Sequence, residues 1–309
     1  MEKVLVTGGA GFIGSHLSDA LIARGYDVHV LDDLSSGRRE NVPADATLHV
    51  LDIRDPQVHD LFARERFDLM VHHAAQMDVR RSVADPSFDA DVNVRGLLNL
   101  MEAGRRNGLH KVVFASTGGA IYGEPDSVPQ DESHALQPLS PYGITKLASE
   151  KYLHYYFKEY GIPYVALRYG NVYGPRQNPH GEAGVIAIFT TKLLDGDRPV
   201  INGDGEQTRD YVFVGDVVAA NLAALVHPDP DLINIGTSRE TSVNQLFRIL
   251  RDLVDPGVPE THGPGKPGEQ RRSVLDVSKA RRVLHWAPSV DLRSGLSLTV
   301  DWFRSRHGA

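Results

Sequence analysis

Short apolar runs, often β-branched, alternate with longer stretches of helical period over the first half of the chain. Residues 3–7, 27–31, 47–51, 68–72, 111–115 and 164–168 predict strands, and their near-continuous apolar character predicts burial on both faces. Between them, residues 11–24, 56–66, 87–107 and 141–160 carry the spacing of helices with one apolar face. Strand–helix alternation calls for right-handed crossovers, so the expected fold class is α/β, a doubly wound parallel sheet. After Arg168 the alternation fades into a loop rich in Gly and Pro over 170–184. Helices then fit 185–194, 215–226 and 243–253, a short strand fits 232–235, and 255–268 reads as exposed loop. The expected division is a sheet domain over 1–170, taking back about 210–236, and a smaller mixed α/β domain over 171–309.

Composition narrows the possible chemistry. With 41% apolar and 24% charged residues, the 309-residue chain can bury a substantial core. Its net charge of −7, without a basic block, argues against a nucleic-acid partner, since phosphate neutralisation needs clustered Lys and Arg. The absence of Cys excludes disulfides, thiolate metal sites and cysteine nucleophiles. Residues 4–6 form too short an apolar run for a signal peptide, and no run approaches a membrane span; a soluble cytoplasmic protein is expected. His72 and His73 are adjacent on a predicted strand and point to opposite faces, so they cannot readily share a metal, and no metal site is expected.

The first strand runs into Thr7-Gly8-Gly9-Ala10-Gly11-Phe12-Ile13-Gly14, which opens the first helix. Gly8, Gly11 and Gly14 would let backbone N–H groups and a helix N-terminus approach a pyrophosphate, as in a Rossmann dinucleotide-binding fold. Asp32 ends the second strand, 18 residues beyond Gly14, where an acid can accept from an adenosine ribose and repel a 2′-phosphate. NAD is therefore preferred to NADP, although Arg38 and Arg39 follow close by. Asp52, before Ile53, could hold the adenine edge or simply cap a helix.

A second constellation is Ser140-Pro141-Tyr142-Gly143-Ile144-Thr145-Lys146. Ser140 suits an N-cap and Pro141 a first turn, and a spacing of four places Tyr142 and Lys146 on one helical face. Together with Thr7–Gly14, Asp32, the run Leu167-Arg168-Tyr169-Gly170-Asn171-Val172-Tyr173-Gly174-Pro175 and residues 203–211 and 266–269, this pair resembles the extended short-chain dehydrogenase/reductase superfamily. Within it the chain is most similar to the UDP-glucose 4-epimerase (UDP-galactose 4-epimerase) group.

The resemblance implies that Tyr142 takes a proton from the sugar 4-hydroxyl while NAD accepts hydride, with Lys146 binding the nicotinamide ribose. A phenol near pKa 10 is a poor base at neutral pH. A positive charge about 6 Å away, at an effective dielectric of about 20, contributes roughly 2.8 kcal/mol, or about two pKa units. The hydroxyl usually found four residues before Tyr122 is missing, because Gly118 stands there; Thr117 is expected to bond the sugar oxygen, with Ser116 as the alternative. The resemblance also places Phe12, Ile13, Asp33, Ser36, Gly37, Asp52, Ile53, His73, Ala74, Ala75, Gln76, Asn93, Ser116 and Tyr169 on the cofactor side. Gly118, Asn171, Val185, Arg209, Lys266, Glu269 and Ser273 fall on the substrate side. Arg209 suits a diphosphate, Glu269 a ribose hydroxyl, and Lys266 keeps the charge but not the fork of the Arg that relatives carry.

Gly118, Gly119 and Ala120 offer no ionisable group where related dehydratases and decarboxylases carry acids, which favours simple epimerisation. Ser273 replaces a bulky Tyr of hexose-restricted relatives and leaves room for a 2-N-acetyl group, so UDP-GlcNAc/UDP-GalNAc are expected substrates beside UDP-Glc/UDP-Gal. Helices 87–107 and 141–160 resemble those that form a four-helix bundle in family homodimers. Two other readings stay open: another nucleotide-sugar enzyme of the superfamily (uronate 4-epimerase, decarboxylase or dehydratase), and a non-catalytic NAD- or nucleotide-sugar-binding regulator.

Overall fold

The computed structural model describes residues 1–179, 184–265 and 270–307. Seven parallel strands form the central sheet: β1 (Lys3–Thr7), β2 (Asp27–Asp32), β3 (Thr47–Val50), β4 (Leu69–His72), β5 (Lys111–Thr117), β6 (Tyr164–Tyr169) and a late strand, Asp231–Ile235. Their spatial order is β3, β2, β1, β4, β5, β6, then the late strand, which places the reversal of winding between β1 and β4. Register is in step along the sheet, with Val6 beside both Val30 and Val71, and Thr117 beside Tyr169. Alternate residues of β1 enter different cores: Val4 and Val6 face one side, Leu5 the other. Strands buried on both faces in this way explain the unbroken apolar runs.

The helices α1 (Phe12–Ile22), α2 (Gln57–Glu65), α3 (Val79–Ala84), α4 (Pro86–Ala90), α5 (Gly96–Arg106) and α6 (Pro141–Tyr160) link these strands. Where one helix is expected over 87–107, α4 and α5 are joined by a π-helical turn at Asp91–Arg95. The wider turn is a feature of the kind that clusters at functional sites. Helix α6 has its expected bounds. The Ser140 hydroxyl accepts from Gly143 N at 3.2 Å, Pro141 fills the first turn, and Gly161 ends the helix at φ 68°.

Beyond the sheet come β7 (Asn171–Tyr173), α7 (Val185–Leu194), β8 (Ile201–Asn202), β9 (Thr208–Arg209), β10 (Tyr211–Phe213) and α8 (Val214–Val226). The late sheet strand, Asp231–Ile235, is β11; β12 (Thr241–Ser242), α9 (Val243–Val254), β13 (His262–Gly263), α10 (Ser278–Val283) and α11 (Leu292–Arg306) follow it. Helix α8 packs on the β-sheet core with α1, while α7, α9 and α11 enclose a separate core around Phe189, Phe247, Leu250 and Val300. Buried carboxylates join the two regions. Asp210 accepts from Thr237 N and Oγ1, Ser238 N and Leu275 N, and Asp216 accepts from Ser289 and Val290. Helices α3, α10 and α11 were not among the sequence expectations; α3 and α10 have only six residues each, too little for a clear periodicity.

Candidate active site

The carboxyl ends of β1, β4, β5 and β6 converge beside the point where the sheet reverses. Gly8 adopts φ +69°, and a Cβ there would lie 2.7 Å from Ala74 N, so the turn after β1 rests on the peptide after β4. A Cβ at Gly14 would collide with Gly8 O, which leaves only glycine for this close return of helix to turn. Gly11 stands at the N-cap of α1 without a side chain to cap it, and Phe12 and Ile13 start the helix. The bare first-turn N–H groups and the positive end of the dipole suit a phosphate anion.

Asp32 closes the other end of this cradle. Its carboxylate accepts from Ala10 N at 3.0 Å and Leu34 N at 2.9 Å, and burial raises its pKa against those two bonds. A carboxylate with two backbone bonds retains further acceptor capacity. Gly37 lies against the same carboxylate, while Ser36 is exposed and Asp33 accepts from Ser35. A bare helix N-terminus, a glycine turn and a strand-end acid at this spacing fit a dinucleotide. Asp52 does not cap α2. It pairs with Arg54, at 2.6 Å to Nη2, which holds its pKa down, and Asp55 bonds Gln57 N instead. Ile53 is buried against Gly96.

At the end of β4 the two histidines diverge. His72 Nδ1 lies 2.6 Å from Thr7 Oγ1, and His73 Nε2 lies 3.2 Å from the Tyr169 hydroxyl, whose ring it stacks on. Burial lowers the pKa of both, that of His73 to about 3, so both are neutral at physiological pH. Ala74 N donates to Thr7 Oγ1, and Ala75 precedes Gln76 in the next turn of chain. Asn93, in the π-turn, is buried rather than on an exposed helix face. Its amide accepts from Gln76 N and donates to Gln76 O, Asp89 and Thr145. It thereby ties the β4 exit to α6.

Lys146 is buried, donates to Ala115 O at 2.9 Å, and lies 4.8 Å above the Phe114 ring and 5.9 Å from the Tyr142 ring centroid. Burial draws its pKa down to about 8, while Asp89 and Glu150 pull the other way. Thr117 is half-buried, and its hydroxyl accepts from Ala120 N at 3.2 Å. Ser116 differs: it is buried and its Oγ donates to Glu150 Oε1 at 2.6 Å. That geometry argues against Ser116 as the alternative hydroxyl at the sugar and leaves Thr117. Gly118 N donates to Tyr169 O at 2.7 Å, and a Cβ at Gly118 would lie 2.5 Å from the buried Leu275 side chain. The space a side chain would take at 118 is filled.

The remaining substrate-side candidates are spread over the second region. Asn171 is exposed at the start of β7, Val185 opens α7, and Arg209 Nη1 donates to Thr208 O in β9. Ser273 is buried two residues before Leu275, the side chain against Gly118. Lys266 and Glu269 lie outside the described residues. Sequence reasoning missed Glu150 and Arg168, a wholly buried ion pair beside Ser116. The available signal was Glu150 four residues after Lys146, and an Arg in the otherwise apolar run of β6.

The model of the NAD dependent epimerase/dehydratase family matches residues 4–236. A UDP-glucose 4-epimerase of Mycolicibacterium smegmatis is 46% identical over 311 residues, spanning 98% of this chain and 99% of that protein. A crystal structure of the Thermotoga maritima UDP-glucose 4-epimerase with UDP-glucose has a TM-score of 0.97 and 48% identity, with 99% of each chain covered. That of a Thermus thermophilus UDP-glucose 4-epimerase in complex with NAD has a TM-score of 0.92 and 45% identity, covering 98% of this chain and 99% of that one.

Proposed function

The chain belongs to the NAD-dependent epimerase/dehydratase family, and from that premise we propose that it interconverts UDP-glucose and UDP-galactose at C4 through a 4-keto sugar. The observation that carries this reading is a buried Lys146 beside Tyr142, its ammonium on the Ala115 carbonyl of β5, with the uncharged Gly118-Gly119-Ala120 following that strand. Gly8, Gly11 and Gly14 would hold the pyrophosphate of NAD, Asp32 its adenosine ribose and Lys146 its nicotinamide ribose. When bound, NAD supplies a hydride acceptor and donor at sugar C4.

Tyr142 Oη takes the proton of the sugar 4-hydroxyl and gives it back. Lys146 stabilises the phenolate that makes this possible, and at neutral pH it remains largely protonated with a pKa of about 8. Thr117 Oγ1 bonds the same sugar oxygen. With no acid or base at 118–120, that segment supplies nothing to drive elimination, and both outcomes of hydride return give a hexose. Arg209 and Asn171 grip the nucleotide portion, so that the sugar can rotate between its two faces. Ser273, in place of a bulky aromatic, admits a 2-N-acetyl group.

The functional unit is a cytoplasmic homodimer. Ile144, Tyr152 and Tyr155 form an exposed apolar stripe at helical spacing on α6, a face that pairing with a second copy would cover. The direct test of the chemistry is Tyr142→Phe, which keeps the ring and removes the base. Turnover should fall at least about 10²-fold with UDP-sugar binding retained; an unchanged rate would rule Tyr142 out.

A further inference from the structure

Arg168 is the bulkiest side chain wholly buried among the described residues. Its Nε and Nη2 donate to Glu150 Oε1 and Oε2 at 2.9 and 2.7 Å, and both side chains are 1% exposed. Glu150 Oε1 also accepts from Ser116 Oγ at 2.6 Å. The third guanidinium nitrogen donates to the Tyr122 hydroxyl at 2.9 Å, which donates to Asn234 Oδ1 at 2.7 Å. Burial pushes the Tyr122 phenol up to about 12, so it remains a neutral donor. The chain of bonds therefore joins β5, α6, β6 and β11 without leaving a polar atom of the ion pair in apolar surroundings.

A buried ion pair is weak evidence for stability, because desolvation consumes much of its attraction. Its location suggests what else it does. Lys146 and Glu150 are one turn apart on α6, and they grip consecutive residues of β5: Lys146 holds Ala115 O, and Glu150 holds Ser116 Oγ. Thr117 comes next. We propose that the Glu150–Arg168 pair, through Ser116, is a positioning device that fixes α6 along β5 and so sets Tyr142 and Lys146 against Thr117. The proposal rests on the epimerase reading; Ser116, Glu150 and Arg168 are all buried, and Glu150 is bonded to both of the others.

The same carboxylate faces the Lys146 ammonium. The other charged or titratable groups around that ammonium are Asp89 on α4, Tyr142 on α6, and the neutral His72 and His73 at the end of β4. Removing the charge of Glu150 makes loss of the Lys146 proton easier, so the alkaline limb of turnover moves to lower pH.

The test measures epimerisation of UDP-galactose by the intact protein and three variants. Ser116→Ala removes one donor at nearly constant volume. Its melting temperature should stay near that of the parent, while kcat falls about tenfold and KM changes less than about twofold, the signature of misplaced groups rather than lost binding. Glu150→Gln should move the alkaline limb of kcat about one pH unit lower. Since it strands Arg168, the double variant Glu150→Met/Arg168→Met is paired with it; removing both charges should restore stability without restoring kcat. A Ser116→Ala enzyme with parental kcat, or a double variant that recovers kcat together with stability, would overturn the positioning role. An inactive parent would overturn the epimerase reading instead, and the two failures are separate in one assay.

Discussion

At Lys146 the ammonium lies between the Phe114 ring and the Ala115 carbonyl, where burial has brought its pKa from 10.5 to about 8. In the proposed mechanism the protonated form is the one that supports a Tyr142 phenolate. Turnover is therefore expected to fall as pH rises through about 8, rather than holding to the range of an exposed lysine; a kcat profile flat to about pH 9.5 would contradict this. Thr117→Ala should lower kcat by about 10²-fold, since in the proposed mechanism it deletes the hydroxyl that bonds the reacting oxygen. Unchanged turnover would move that role elsewhere. Ser273→Tyr should slow UDP-GlcNAc/UDP-GalNAc interconversion about tenfold more than UDP-Glc/UDP-Gal, because on the proposed reading the added ring takes the acetamido space. Equal effects on both pairs would remove Ser273 from specificity. Ser116 shows how residue type can mislead: the sequence presents two adjacent hydroxyls at a strand end, but strand alternation sends Ser116 into Glu150 and leaves Thr117 to the turn at Ala120.

Among the elements, α6 was legible because its limits are set locally by Ser140, Pro141 and Gly161. The π-turn between α4 and α5 was not. Its Asn93 is held by Gln76 and Thr145, partners 17 and 52 residues away, and no local pattern encodes bonds over that separation. The Glu150–Arg168 pair was hidden for a similar reason, since each member alone reads as a solvated charge. The strand ladder and the glycine turn were readable because their periodicity and spacing are local. The α6 face carries a prediction of its own. Ile144→Glu together with Tyr155→Glu should convert a dimer to a monomer in sedimentation velocity, because two carboxylates per copy would be buried in the interface. Dimers that persist would place the contact on another face.

On the scale of the whole molecule, a seven-stranded parallel sheet brings four strand ends to one place, and a second core of α7, α9 and α11 stands beside it. Buried Asp210 and Asp216 bind the two parts together, and in the proposed function one part grips the nucleotide while the other faces the sugar. Such an arrangement suits a reaction in which the sugar must turn over while its handle stays fixed. The measurement that tests this most directly is proton NMR of the purified protein with UDP-galactose, first without and then with added NAD. Signals of UDP-glucose growing to a stable mixture, approached equally from UDP-glucose, are the expected result. A spectrum that stays that of UDP-galactose after NAD is supplied would contradict the account.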